Sequence, residues 1–190
     1  MSTLDTLPDT QIQPEKTMFQ RALLAGAYAA AVGAVISLIF YVTGLDKMML
    51  ESQALSWLNR LILLGVTFYF IYKGVEAHRD RDLGGYISVG KAVGLGTLAG
   101  LVNGLLSAIW IYIFMNFVAP EMLDTIKEVA MRQMEEQGQS EEQIEQSMKI
   151  ASSFFSAGFM SIITLFFSLI LGVISGLISG LALKRDQQYR

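Results

Sequence analysis

The sequence predicts an all-α, polytopic membrane protein: four transmembrane helices, with an extracytoplasmic helical hairpin between spans three and four. Three observations lead there. Hydrophobic residues make up 53% of the chain and charged residues only 16%, against about 25% charged in soluble domains. Four stretches are long and apolar enough for a bilayer core, which takes about 20 residues of helix. Glycine is abundant at 17 and proline scarce at 3, the balance of helices that pack closely in lipid.

The first span covers about 22–45 and contains no charged residue. It is longer than the roughly 7–15 residues of a signal-peptide core and lacks a cleavage site, so it reads as a retained span. The second covers about 57–75, with Arg60 near one end and Tyr69, Tyr72 and Lys73 near the other. The third, about 86–118, is long enough to tilt or project beyond the lipid. The fourth, about 154–183, closes on Lys184 and Arg185. Residues 1–17 read as a disordered cytoplasmic tail, because their opening stretch shows no apolar period. Residues 18–190 then form a single four-helix transmembrane domain.

Lys and Arg excess marks the cytoplasmic side. Lys16, Arg21, Lys73, Arg79, Arg81, Lys91, Lys184, Arg185 and Arg190 fall on one side, nine in all; Lys47, Arg60, Lys127, Arg132 and Lys149 make five on the other. The expected layout places both termini on the cytoplasmic side.

Composition also removes whole classes of chemistry. With no cysteine and a single histidine, His78, thiolate and multi-histidine metal sites are out. A net charge of −3 offers no basic surface to nucleic acid. Gly85 to Lys91 has the G-x-x-x-x-G-K spacing of a phosphate-binding loop. That loop needs a buried strand before it and Ser or Thr after the Lys. Here a charged turn precedes it, Ala92 follows, and the next helix is a membrane span. No nucleotide, cofactor or metal is expected. Gly84–Gly85 instead breaks the chain, Tyr86 sits at the interface, and Lys91 reaches back to water.

Glu76, His78, Arg79, Asp80, Arg81 and Asp82 form a turn of mixed charge. It reads first as a solvated anchor for topology, and second as a docking site for a partner through Glu76, His78, Arg79, Arg81 and Lys91.

Small residues recur every fourth position in the third span, at Ala92, Gly96, Gly100, Gly104 and Ala108, and in the fourth, at Ser168, Gly172, Gly176 and Gly180. Residues four apart share a helix face. Each ladder therefore forms a groove where another backbone can approach, held by dispersion and weak Cα–H···O contacts. Packing inside the bundle is one reading; homodimerisation or a membrane-protein partner is the other. A weaker ladder, Gly26, Ala30 and Ala34, runs along the first span. Asn103 and Ser107 share a face of the third span and mark a candidate polar path; Asn59 and Thr67 lie on the second. No charged residue lies mid-span, which disfavours ion-coupled transport.

Between the third and fourth spans, residues 119–153 carry two amphipathic patterns. Pro120 suits a helix N1 position. Met122, Ile126, Val129, Ala130 and Met134 repeat at helical spacing up to Gly138, a C′ glycine. Ser140 and Gln143 make a capping box for a second helix. Ile144, Met148, Ala151 and Phe155 line its apolar face, so two helices should fold back and bury these stripes. Eight acidic residues, from Glu121 to Glu145, occupy the outer faces. They read as a solvated surface or as a docking face for a basic partner.

The order of elements from Tyr72 to Met122 carries a family resemblance. A charged turn, the segment Gly84-Gly85-Tyr86-Ile87-Ser88-Val89-Gly90-Lys91, a long glycine-rich span and a proline-started acidic segment occur in sequence. From about Gln20 to Arg185 the chain resembles the small Gram-negative membrane proteins of domain of unknown function family 4199. The resemblance implies a multi-pass inner-membrane protein and carries over no activity and no catalytic residue.

Two functions remain open from the sequence. One is a non-enzymatic scaffold or accessory subunit acting through helix packing and partner docking. The other is a small lipid or solute transporter or flippase component. No catalytic constellation is visible.

Overall fold

The computed structural model describes residues 16–184; residues 1–15, assigned above to the tail, and 185–190, which include Arg185 and Arg190, lie outside the described residues. The chain runs through α1 (Met18–Thr43), a short α2 (Leu45–Glu51) and α3 (Gln53–Ala77), which a π-helical turn extends over His78–Asp82. There follow α4 (Val89–Ile113) with a π-helical extension over Phe114–Val118, then α5 (Met122–Glu136), α6 (Glu141–Ala151) and α7 (Ala157–Leu183). Four of these, α1, extended α3, extended α4 and α7, are long and apolar enough to cross a membrane.

Hydroxyl side chains set most of the helix starts. Thr17, Ser52, Ser88, Ser140 and Ser156 cap α1, α3, α4, α6 and α7, each accepting the amide N–H three residues on. Thr17 and Ser140 complete capping boxes with Gln20 and Gln143, satisfying two amide donors that the helix itself leaves free. Thr17 is therefore part of the start of α1. The Ser156 cap also explains why the fourth span begins at Ala157 rather than near 154: residues 152–156 form a turn that separates α6 from α7. Pro120 precedes the N-cap Glu121 instead of occupying N1. The chain reverses at Gly84 and Gly85, whose φ values of +63° and +91° are strained for residues with a side chain.

The bundle is packed the opposite way from a soluble one. Its buried residues on α4 and α7 are chiefly Ala, Gly and Ser, while Leu101, Leu105, Ile109, Phe166, Phe167 and Ile170 face outward. Large apolar groups gain nothing by leaving lipid, so close backbone contact takes the interior. α4 and α7 run antiparallel and form the tightest pair. A Cβ on Gly100 would stand 2.6 Å from the Ser168 carbonyl oxygen; one on Gly176 would stand 2.7 Å from that of Ala92. Gly96 abuts Gly172 and Gly176, Gly104 meets Leu165 and Ser168, and Gly180 meets Val89 and Ala92. The third ladder is used too: a Cβ on Gly26 would stand 2.5 Å from the Ala99 carbonyl oxygen. The α4 and α7 ladders pack against each other, and Gly26 of the α1 ladder packs against α4.

α3 is the loosest span. Its buried residues, Thr67, Ile71, Gly74 and Val75, all lie in the half that leads to the Gly84 turn. There Gly74 meets Ala25 of α1 and Leu95 of α4. Ile71, Val75, Ala22, Ala25, Leu95, Ala99 and Leu183 make the core, at the end of the bundle that holds both described ends of the chain. From Gln53 to Val66 no residue of α3 is buried. The span leans in at one end and away at the other, toward α5 and α6.

The expected burial of the α5 and α6 stripes is only partial. Met122, Ile126, Val129, Ala130 and Met134 are half-buried, and Ile144 is the one fully buried residue of the two helices. The short α2 is the one further element beside α5, reached through Arg132 and Glu51, and it leaves much of both helices uncovered.

Candidate functional site

The outward lean of α3 leaves a cavity of about 460 Å³ among α1, α3, α4 and α7. α1 contributes Ala29, Gly33, Ala34 and Ser37, whose small side chains leave the space open. α3 contributes Trp57, Arg60, Leu63, Leu64 and Thr67, one face of a helix at spacings of three and four. α4 supplies Asn103, Ser107 and Trp110, and α7 supplies Thr164, Phe167, Ser168 and Leu171.

Polar atoms converge on both ends of this space. At the deep end stand Thr67, Asn103 and Ser168, each at least nine-tenths buried. Asn103 Nδ2 donates to Ser168 Oγ at 3.4 Å, and Ser107 Oγ donates to Asn103 Oδ1 at 3.5 Å. Both distances are at the long limit for hydrogen bonds, so these groups retain capacity for a better partner. Nearer α5 and α6, Trp110 Nε1 donates to Ser37 Oγ at 2.8 Å, and Ser37 Oγ donates to the Ala34 carbonyl at 2.8 Å. Arg60 lies over the Trp57 ring, 5.2 Å from its centroid. Seven residues, about 10 Å of helix, separate Arg60 from Thr67. Asn103 and Ser107, picked out from spacing alone, do line this space.

A second polar cluster lies at the opposite end of the bundle. The Asp82 carboxylate accepts from Arg21 Nε at 2.6 Å and Nη2 at 2.8 Å, and from the Lys16 amide at 3.0 Å. His78 Nδ1 lies 3.0 Å from Asp82 Oδ2, the oxygen that also accepts from Arg21 Nε. The Asp82 side chain is only 3% exposed and that of Arg21 11%. This bidentate pair ties the start of α1 to the end of α3. Arg79 is buried, pairs with Asp80 and donates to the Leu183 carbonyl at 3.3 Å, closing the end of α7.

The turn expected to be solvated is thus largely a structural clasp. Of the five candidate docking residues, His78 and Arg79 point inward, Glu76 pairs with Lys73 at 2.7 Å, and Arg81 and Lys91 are exposed. Sequence reasoning missed the Arg21–Asp82 pair, which spans 61 positions. Its one signal was a lone arginine at the head of an otherwise uncharged span. It also missed Ser37, Trp57, Arg60 and Trp110 as cavity residues, because only the tilt of α3 brings them together.

Fold and cavity together define the class: a helical membrane protein whose four spans line a partly polar, half-open chamber. The chain belongs to the family described as protein of unknown function (DUF4199), whose model matches residues 19–185. Neither the curated proteins nor the solved structures include a match to the chain.

Proposed function

We propose that this protein is a non-enzymatic carrier that admits a small amphipathic molecule into the chamber between its spans, as a lipid or solute transporter or a component of one. The observation that carries this is the chamber itself. Its volume falls within the roughly 300–1,000 Å³ of small-molecule sites, and its mixture of apolar walls and a few convergent polar groups is their usual character. Asn103, Ser107 and Ser168 carry weak mutual hydrogen bonds that a guest can replace. Among the described residues no group of three or more His, Asp or Glu side chains could hold a metal ion.

In this proposal the chain sits in the inner membrane of a bacterium with both termini cytoplasmic. The nine-to-five distribution of Lys and Arg supports that orientation. Reporter tags at residue 10 and residue 138 are expected in different compartments; the same compartment for both would overturn the layout. The function is tested with the full chain in liposomes carrying a fluorescent phospholipid or fatty acid. Transfer above protein-free vesicles, lost in Ser107→Phe, is expected. Equal transfer with and without protein, together with no amphiphile retained on purification, would refute it.

The scaffold reading keeps one support. The half-covered stripes and acidic outer faces of α5 and α6 leave a surface for a basic partner, with Ile150 73% exposed. In the scaffold reading self-association stands beside docking of another protein; the α4 and α7 ladders themselves pack against each other within the chain. A stable complex surviving mild detergent extraction would favour the scaffold.

A further inference from the structure

The chamber has one charged residue in its wall, and that residue has no opposite charge beside it. Arg60 lines the space together with Trp57. Its guanidinium stacks on the indole, and among the described residues it makes no ion pair. The two arginines buried at the other end of the bundle are treated differently: Arg21 meets Asp82 and Arg79 meets Asp80. A cation near the edge of hydrocarbon costs free energy unless paired or hydrated. The fold supplies carboxylates to Arg21 and Arg79; Arg60 is exposed and lines the cavity without one. The contact with Trp57 is a cation–π interaction and uses none of the guanidinium N–H donors.

Below Arg60 the α3 wall turns apolar at Leu63 and Leu64, then polar again at Thr67. A guest that satisfies this order carries an acidic group at one point and an apolar body beyond it. Resting on the proposed carrier function, we propose that the chamber selects an anionic amphiphile of the surrounding bilayer, its carboxylate or phosphate head paired with Arg60. A planar, bidentate donor is the side chain best matched to such heads.

The chain's only two tryptophans, Trp57 and Trp110, both line the chamber, so quenching reports occupancy directly. The full chain in nanodiscs is titrated at pH 8 with a brominated fatty acid and with the brominated alcohol of the same chain length. Wild type is expected to bind the acid saturably and about tenfold or more tightly than the alcohol, the scale of a hydrogen bond to a charged group. Arg60→Gln brings the two to within about twofold, and Arg60→Lys retains part of the preference. Ser107→Phe, which fills the chamber, abolishes saturable quenching by both. Acetate, a head without a chain, does not displace the acid. If acid and alcohol bind wild type equally, or Arg60→Gln leaves the preference intact, the assignment to Arg60 is wrong while the carrier reading survives. If neither amphiphile quenches saturably, or Ser107→Phe changes nothing, both fail.

Discussion

Replacing Gly100 by alanine adds one methyl group where α4 and α7 come closest. The new Cβ would stand 2.6 Å from the Ser168 carbonyl oxygen and 2.7 Å from Gly172 Cα. Comfortable carbon contacts lie at about 3.5–4.0 Å, so the helices must part by about 1 Å. Both obstacles are backbone, and no rotamer change relieves them. Forcing an extra carbon into a packed interface costs about 1–3 kcal/mol. Alanine gains roughly 1 kcal/mol over glycine in helix propensity, which offsets part of that cost and leaves a net loss of up to about 2 kcal/mol. Gly65, in the middle of α3, supplies the control: a Cβ there meets nothing within 4 Å. Gly65→Ala keeps the propensity gain without the clash, so propensity cancels between the two variants and about 1–3 kcal/mol of difference remains. Both are unfolded by denaturing-detergent titration in one mixed-micelle system, followed by circular dichroism. Gly100→Ala at least as stable as Gly65→Ala would show that bare backbone contact does not hold α4 to α7.

Asp82→Ala leaves Arg21 without its carboxylate and should cost about 3–5 kcal/mol, as for removing one partner of a buried pair. The Arg21→Met, Asp82→Leu double variant should lose less than the sum of the single losses in the same titration, and strict additivity would mean the pair is not coupled. Ser140→Ala removes a capping box and should cost about 1 kcal/mol locally; faster amide exchange confined to the first turn of α6 is the expected signature. Trp110→Phe removes the donor to Ser37 and should lower stability by about 0.5–1.5 kcal/mol, with unchanged stability arguing that the bond contributes nothing.

What was legible in the sequence follows from local rules. Span length and hydropathy identify four helices because a bilayer core imposes one length on every crossing. The Ser140 capping box and the Gly138 stop are visible because each involves residues within one turn. The ladders at Gly96–Gly104 and Gly172–Gly180 are visible because small residues four apart share a face whatever lies opposite.

What lay opposite was not legible. Pairing between Arg21 and Asp82 joins segments 61 positions apart, and no periodicity encodes a partner at that distance. His78 and Arg79 look solvated in a charged run, yet a π-helical turn carries them inward. The chamber lies beside the loosely packed half of α3, between the close contact at Gly74 and a stretch before Thr67 in which no residue is buried. Sequence by itself determined that this chain forms four apolar helices with smooth faces, because helix periodicity and bilayer thickness act on each segment separately. Only the tertiary structure decided which faces met and where they failed to meet, because that depends on backbone distances between segments that no single helix contains.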